Sequence, residues 1–266
     1  MDAKLAHFSQ NLIKHKDKYI LIGGNACALV FEHHGQDFRP TQDLDIVLVI
    51  EEFTDDFAND LWAYLQGGGY EGKRFHQNST SGNVYRFVIP DDAATINTYP
   101  KQIELFSRKP DGVDLFEEKA HLTPIETAEG ISNFSAILID DDYYSYLKDS
   151  VIKIETVNTV NPQCLIVLKA KAWIGNKDLY SNKQIKYSSD VYKHPFDICR
   201  LLALYDDEDG QQLVERRIYN DLMTVVDLFK SSEEQKELDA HLGEQELPVT
   251  YADAAELLPQ IFAVKE

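Results

Sequence analysis

Two aspartates, Asp43 and Asp45, lead directly into the apolar run 46–50. The run is rich in β-branched and aliphatic residues, which predicts a buried strand. Successive side chains of a strand point to opposite faces, so Asp43 and Asp45 leave this strand on the same side. Two neighbouring carboxylates repel each other unless a cation lies between them, and Mg²⁺ prefers oxygen ligands. The pair indicates a magnesium site that handles phosphates, although Asp-x-Asp is also common on protein surfaces.

Two glycines, Gly23 and Gly24, lie between a predicted strand, 19–22, and a predicted helix, 25–34. Glycine lets the backbone approach a ligand closely, and the N–H groups at a helix N-terminus suit a phosphate. Taken alone, the pair also fits an ordinary strand-to-helix turn. The ordered set of strand, two glycines, helix and Asp-x-Asp on a second core strand is much more specific than either part.

A third carboxylate, Glu104, falls between Ile103 and Leu105 in the predicted strand 102–106. A carboxylate within an apolar strand costs free energy unless it is paired or bound to a metal. The alternative is a surface-facing side chain on an edge strand. Because the two aspartates already indicate a metal, we favour Glu104 as the third acidic residue of the same site.

The elements that must position these residues predict an α+β fold with two domains. Over residues 1–160 short apolar strands alternate with amphipathic helices, which indicates a sheet flanked by helices. After residue 160 the apolar period changes from two to about 3.6, which predicts a helical bundle over residues 161–266.

The predicted boundaries of the other elements follow from the same patterns. In the first domain, helices are predicted at 3–16 and 53–66, the latter with Thr54 as its N-cap, and strands at 84–89, 136–139 and 151–157. The acidic triplet 140–142 is interpreted as a solvated turn. In the second domain, helices are predicted at 163–175, about 195–205, 211–230, 232–242 and 251–262.

The composition, 44% hydrophobic and 27% charged, is typical of a soluble globular protein. No apolar run has the length of a membrane span, and the first residues lack the apolar core of a signal peptide. The net charge of -19 argues against broad nucleic-acid binding, which needs a basic surface, but it leaves room for a local basic groove or for a partner with a basic face.

The cysteines and most histidines show no metal-ligand spacing. Cys27, Cys164 and Cys199 are expected to be buried free thiols of a cytoplasmic protein. The histidines expected to be structural or surface residues are His33, His34, His121, His194 and His241.

Four segments carry a resemblance that extends from the first strand to about Tyr205. They are the Gly23-Gly24 turn, an Arg-x-Thr-x-Asp-x-Asp segment at 39–45, a Lys-x-x-Ala helix within 165–172, and a segment at 193–198 similar to (Lys/Arg)-Asp-x-x-Asp-Leu. In these segments the chain resembles the AbiEii/AbiGii toxin-like nucleotidyltransferases of the DNA polymerase β-like superfamily. That family is described as a nucleotidyltransferase domain followed by a helical bundle.

The chain departs from the family pattern in two places. The segment between Gly24 and Asp43 is several residues longer than usual, which is most simply an extension near Gly35. In the last motif His194 stands where the family has its first aspartate, so only Asp197 carries over.

The resemblance implies a nucleotidyltransferase domain over 1–160 with a mixed sheet flanked by helices, and metal-binding roles for the three carboxylates. Asp43 and Asp45 would bind Mg²⁺ that bridges the nucleotide phosphates, and Glu104 would complete the site. A carboxylate near the acceptor hydroxyl could also help to remove its proton.

The resemblance also assigns the nucleotide contacts. The N–H groups at Gly23, Gly24 and Asn25 would hold the β- and γ-phosphates. Lys169 would neutralise triphosphate charge; it cannot share a helix face with Lys171, and a solvated pair of lysines is the alternative. Asp197 would orient Lys169 or bind nucleotide, or would stabilise the N-terminal turn of its own helix.

The function implied is transfer of a nucleoside monophosphate from an NTP to an acceptor, with loss of pyrophosphate. In the toxins of this family the acceptor is RNA, often the tRNA 3′ end, or a protein, and a cognate antitoxin would be the partner. A small-molecule acceptor stays open, as does a non-catalytic domain that binds a nucleotide or a protein. No membrane partner is expected.

Overall fold

The computed structural model describes residues 1–74, 84–109, 122–124, 135–184, 187–206, 208, 210–243 and 245–265. It has a mixed sheet flanked by helices and a helical C-terminal region, which confirms the predicted α+β class. The chain divides into two compact units, Met1–Val160 and Asn161–Glu266. Among the described helices, none combines the length and the hydrophobicity that a bilayer crossing requires.

The first unit contains the sheet. Its helices are α1 (Ala3–Asn11), α2 (Gly23–His33), α3 (Asp55–Gly68) and α4 (Asp141–Asp149), with 3₁₀ turns at Ile13–His15 and Ile50–Glu52. Its strands are β1 (Tyr19–Ile22), β2 (Asp43–Leu48), β3 (Glu71–Arg74), β4 (Val84–Val88), β5 (Gln102–Ser107), β6 (Leu122–Pro124), β7 (Ser135–Leu138), β8 (Val151–Ile154) and β9 (Val157–Val160).

Seven of the described strands form one sheet around the β2–β5 pair. The order is β1-β2-β5-β4-β3, and β7 pairs with the second half of β5 and with β6. Strands β2 and β5 are parallel, whereas β1 and β4 run antiparallel to β2 and β5 respectively. The sheet is therefore mixed, and its two central strands carry the three predicted carboxylates.

An aromatic cluster joins α1, β1 and α3 in the core. The ring of Phe8 meets Tyr19 and Tyr64 edge-on, and Tyr19 stacks on Phe57. These four side chains are buried. Helix α3 is capped as predicted, because the Thr54 hydroxyl accepts a hydrogen bond from the Phe57 N–H at 3.3 Å.

Three sequence predictions in the first unit are wrong. The leading helix, predicted at 3–16, ends at Asn11, and the 3₁₀ turn Ile13–His15 follows it. Residues 140–142 do not form a solvated turn: Asp140 is the N-cap residue of α4, and the next two aspartates lie in its first turn, where negative charge is favourable. Strand 151–157 is instead the hairpin β8–β9, in which Glu155 has a φ of 53° at the turn.

The second unit is built from helices with one small pair of strands. Its elements are α5 (Pro162–Ser181), α6 (Ser189–Leu202), β10 (Gln212–Val214), α7 (Arg216–Lys230), α8 (Ser232–Leu242), α9 (Tyr251–Ile261) and β11 (Phe262–Val264). Helix α5 packs against α6 and α7. Asn161 caps α5 by accepting the Cys164 N–H at 2.8 Å.

Two helix starts in this unit differ from the sequence prediction. Helix α6 begins at Ser189, not near Pro195, because buried Val191 extends its apolar face by more than a turn and the helix tolerates the internal proline. Helix α7 begins at Arg216, because residues 212–214 pair in parallel with residues 262–264.

Candidate functional site

The three predicted carboxylates lie on one face of the sheet. In the β2–β5 register, Asp45 is opposite Glu104, and Asp43 is opposite Gln102. Paired residues share a face, and so do residues two apart on one strand. The intervening side chains Leu44, Ile46, Ile103 and Leu105 are buried on the other face. Asp43 is exposed, Asp45 is half-buried, and the Glu104 side chain is 12% exposed.

The N-terminus of α2 lies against this acidic face. The antiparallel β1–β2 register pairs Ile22, the last residue before the helix, with Asp45. Gly23 has a φ of 72°, and a Cβ atom there would lie 1.9 Å from Oδ2 of Asp45. Position 23 therefore requires glycine twice, once for its backbone conformation and once because the Asp45 carboxylate fills the space of a side chain.

The second glycine serves a similar purpose. A Cβ atom on Gly24 would lie 2.6 Å from the hydroxyl oxygen of Thr41. The N-cap residue Ile22 supplies no side-chain hydrogen bond to the first turn. The backbone at Gly23 and Gly24 thus borders directly on polar side chains.

Asn25 holds the first residue of β2. Its side chain is 7% exposed, and Nδ2 donates to the backbone carbonyl of Asp43 at 2.6 Å. The amide therefore fixes the backbone that carries the first carboxylate. This side-chain role adds to the predicted use of the N–H groups near Asn25.

A positive side chain that the sequence motifs do not include, Arg86, meets the acidic face. Arg86 pairs in register with Glu104, and its Nε contacts Oε1 of that carboxylate. Burial lowers the pKa of Arg86, but interactions with Glu104, Tyr85 and Asp43 raise it above its ordinary value overall. The arginine lies in the middle of an apolar strand, 84–88, and that position is the only signal for it in the sequence.

The Glu104 carboxylate is engaged on the β4 side of its strand. Besides the contact with Arg86, Oε1 accepts a hydrogen bond from Nε2 of Gln102 at 3.1 Å. Asp43, Asp45 and Glu104 do not bring one ligand atom each within 4.8 Å of one another in the described structure. As hard oxygen donors on one face they fit Mg²⁺ chemically, provided that the three side chains draw closer together.

Another group does reach that spacing. In the described part of the chain, His15, Asp56 and Asp60 place their potential ligand atoms within 4.8 Å of one another. The group is not apparent in the sequence, because His15 precedes β1, whereas the two aspartates lie on α3. The one available signal was the spacing of four between the aspartates, which places both on one helix face.

In the second unit, Lys169 and Asp197 form a buried ion pair. Nζ of Lys169 donates to Oδ2 of Asp197 at 2.8 Å, and the two residues are 5% and 0% exposed. Arg200 adds a longer contact to Oδ1, at 3.4 Å. Asp197 lies in the interior of α6, so a role in the N-terminal turn of its helix is wrong.

The two candidate lysines are in different surroundings. The Lys171 side chain is 37% exposed and pairs with Asp221 on α7 at 3.3 Å. Lys169 is instead the buried member of the two, with its charge directed at Asp197. Helical spacing predicted that they would lie on different faces, and they do.

The cysteines are free and buried, as predicted. Burial raises the pKa of Cys199 to about 12, so its thiol stays protonated near neutral pH. Of the histidines expected to be structural or surface residues, His33, His34 and His241 are exposed and His194 is buried, with Nε2 at 3.1 Å from Nδ2 of Asn176. His121 lies outside the described residues.

Comparison with known proteins shows similarity to solved structures at a distant level only. No family model matches the chain, and no curated protein matches it. Among solved structures the chain is similar to the Megavirus polyadenylate synthase, with 8% sequence identity and a TM-score of 0.37. The match covers 86% of this chain and 36% of the viral one, so the chain spans about a third of that protein. A likeness at this level does not establish a shared fold or activity.

Proposed function

We propose that the protein is a Mg²⁺-dependent nucleotidyltransferase that moves a nucleoside monophosphate from an NTP to an acceptor. The observation that carries the proposal is the common face of Asp43, Asp45 and Glu104 beside the glycine turn that opens α2. Carboxylates from two adjacent strands next to a helix N-terminus suit a metal ion and the phosphates that it accompanies.

Each residue of this face has a distinct role in the proposed reaction. Asp43 and Asp45 hold the metal, and Glu104 completes the site or accepts the proton of the acceptor hydroxyl. When bound, Mg²⁺ would neutralise negative charge on the phosphates as pyrophosphate is displaced. The N–H groups at Gly23, Gly24 and Asn25 hold the β- and γ-phosphates.

Arg86 sets a condition on this reaction. Its guanidinium already contacts Oε1 of Glu104, so a metal that recruits this oxygen would compete with the arginine. Arg86 is then a second cation on the face where the phosphates are proposed to bind. The same contact favours a second candidate, a non-catalytic nucleotide-binding domain in which Arg86 replaces the metal.

We assign residues 1–160 to the nucleotidyltransferase domain and residues 161–266 to the helical bundle domain. Lys169 is proposed to neutralise the charge of the triphosphate, and Asp197 to position its ammonium group. The family resemblance alone supports the domain assignment and the role of Lys169, and the ion pair at 2.8 Å supports the role of Asp197.

The acceptor is proposed to be an RNA, such as tRNA, or a protein, and the chain to be the toxin of a cytoplasmic toxin–antitoxin pair of the AbiEii/AbiGii type. These finer points rest on the sequence resemblance alone. The net charge of -19 disfavours an RNA acceptor bound through a broad basic surface, so recognition would be local.

The test is transfer of label from each of four α-³²P NTPs with Mg²⁺ to total RNA, to lysate proteins and to the enzyme itself. Asp43→Asn/Asp45→Asn is the inactive variant, and Asp92→Asn/Asp149→Asn, at two exposed aspartates of the same unit, is its matched control. Label that only the first variant abolishes supports the transferase and identifies its acceptor. No transfer, with NTP binding that is equal with and without Mg²⁺, would establish the non-catalytic alternative.

A further inference from the structure

A second group of potential metal-ligating side chains lies on other elements than β2 and β5, namely the 3₁₀ turn before β1 and helix α3. His15 ends the 3₁₀ turn before β1, and Asp56 and Asp60 are one turn apart on α3. The His15 side chain is 4% exposed, and Nε2 lies 2.8 Å from Oδ2 of Asp60 and 3.6 Å from Oδ2 of Asp56. A buried imidazole thus points at two carboxylates.

These separations match those between neighbouring ligands of one ion. Transition-metal bonds to histidine nitrogen and carboxylate oxygen are about 2.0–2.2 Å long, so adjacent ligands of a common ion lie roughly 3 to 3.5 Å apart. The two distances from Nε2 are close to that interval. The potential ligand atoms of His15, Asp56 and Asp60 all lie within 4.8 Å of one another, so one ion would draw them only moderately closer.

The group is held by ordered elements. The His15 ring packs on Phe57 with ring centroids 5.3 Å apart, and its backbone N–H donates to the Leu12 carbonyl at 2.8 Å. The Thr54 cap fixes the helix turn that carries Asp56. The Asp56 side chain is 73% exposed, so water can complete the coordination from the solvent side.

The ammonium group of Lys14 forms an ion pair with the cluster. Nζ of Lys14 contacts Oδ2 of Asp60 at 2.7 Å, and the Lys14 side chain is 61% exposed. An exposed lysine–carboxylate pair contributes little stability, and a divalent ion can displace it.

We propose that His15, Asp56 and Asp60 bind a divalent transition-metal ion such as Zn²⁺ or Co²⁺. The imidazole nitrogen separates this site in chemistry from the all-carboxylate face of β2 and β5, because nitrogen ligands favour Zn²⁺, Co²⁺ and Ni²⁺ over Mg²⁺. The ion would link the segment before β1 to helix α3 and would stabilise the first unit. The site does not depend on the proposed transferase activity.

The test uses the full chain, freed of metal and titrated with Co²⁺, with visible absorption of the bound ion and melting temperature as readouts. We expect saturable absorption bands and a rise in melting temperature in the wild type and in Asp43→Asn/Asp45→Asn. Both signals should be lost in His15→Gln and in Asp56→Asn, and Lys14→Gln should bind Co²⁺ severalfold more tightly because the competing ammonium is gone.

The variants distinguish a metal site from a structural ion pair. Asp56 is exposed, so its asparagine variant should fold even if His15→Gln does not. Saturable Co²⁺ absorption that survives in Asp56→Asn, or none in the wild type, would overturn the proposal. Loss of the bands in Asp43→Asn/Asp45→Asn alone would assign the ion to the face of β2 and β5 instead.

Discussion

The guanidinium of Arg86 contacts the carboxylate of Glu104 across the register of β4 and β5. The acidic face of the sheet therefore already has a cation of its own, which also interacts with Asp43. A metal that recruits Glu104 competes with this arginine. This competition should raise the Mg²⁺ concentration that half-saturates NTP binding, which is called the Mg²⁺ threshold below.

Replacing Arg86 should lower that threshold. In Arg86→Gln, Glu104 is released from the guanidinium, so the Mg²⁺ concentration that half-saturates NTP binding should fall severalfold. The measurement is NTP binding over a Mg²⁺ titration, with Lys153→Gln, at an exposed lysine of the same unit, as the control for lost positive charge. A midpoint that is equal in Arg86→Gln and the control would contradict competition for Glu104.

A single methyl group at position 23 should disable the site. Gly23→Ala places a Cβ atom where Asp45 Oδ2 now lies, so Mg²⁺-dependent NTP binding should be lost. Gly35→Ala is the matched control, because Gly35 has a φ of 70° but no atom within 4 Å of the point that a Cβ atom would occupy. Both variants carry a similar backbone cost of about 1–2 kcal/mol. If Gly23→Ala and Gly35→Ala bind NTP equally well, a clash with Asp45 is not the reason for glycine at position 23.

The two lysines of α5 should differ sharply in their effect on stability. Lys169→Met leaves the buried Asp197 without its closest cation, which should lower the free energy of unfolding by about 3–5 kcal/mol. Lys171→Met removes a partly exposed pair and should cost about 1 kcal/mol or less. Urea denaturation of both variants tests the difference. If Lys169→Met lowers the free energy of unfolding by as little as Lys171→Met does, the Lys169–Asp197 pair is not a structural requirement.

Stability should fall in acid partly through Glu51. Burial opposes ionisation, but hydrogen bonds from Tyr144, its own backbone, Arg108 and Lys148 lower its pKa to about 2, from 4.5. A lowered pKa contributes stability above pH 4.5, and this contribution is lost as the pH falls towards 2. Between those limits, the free energy of unfolding should fall less steeply in Glu51→Gln than in the wild type. Parallel profiles would exclude this contribution.

Local patterns were sufficient to predict the elements that carry the candidate site. Alternation predicted that Asp43 and Asp45 share a face, and an apolar context made Glu104 conspicuous. The β2–β5 register, which pairs Asp45 with Glu104, joins segments more than fifty residues apart. No local periodicity encodes such a pairing, so a shared face was an inference from chemistry until the register was known.

The residues that sequence reasoning missed depend on long-range neighbours. Arg86 has no local feature beyond its place in an apolar strand, and its meaning comes from the register with Glu104. His15 is equally plain in the sequence, because its partner Asp60 lies 45 residues later. Pro195 led to a predicted helix start that is too late. A proline usually marks a helix boundary, but α6 begins at Ser189 because the buried Val191 extends its packed face.

The hydrogen bond from Asn25 to the Asp43 carbonyl fixes the start of β2 independently of the loop 34–42 that precedes it. The segment 34–42 leaves α2 at one end and is clamped back onto it at the other, while Gly35 faces open space. Insertions there can lengthen the path without altering where the carboxylates stand. We therefore expect that a tag or reporter inserted next to Gly35 leaves the acidic face intact.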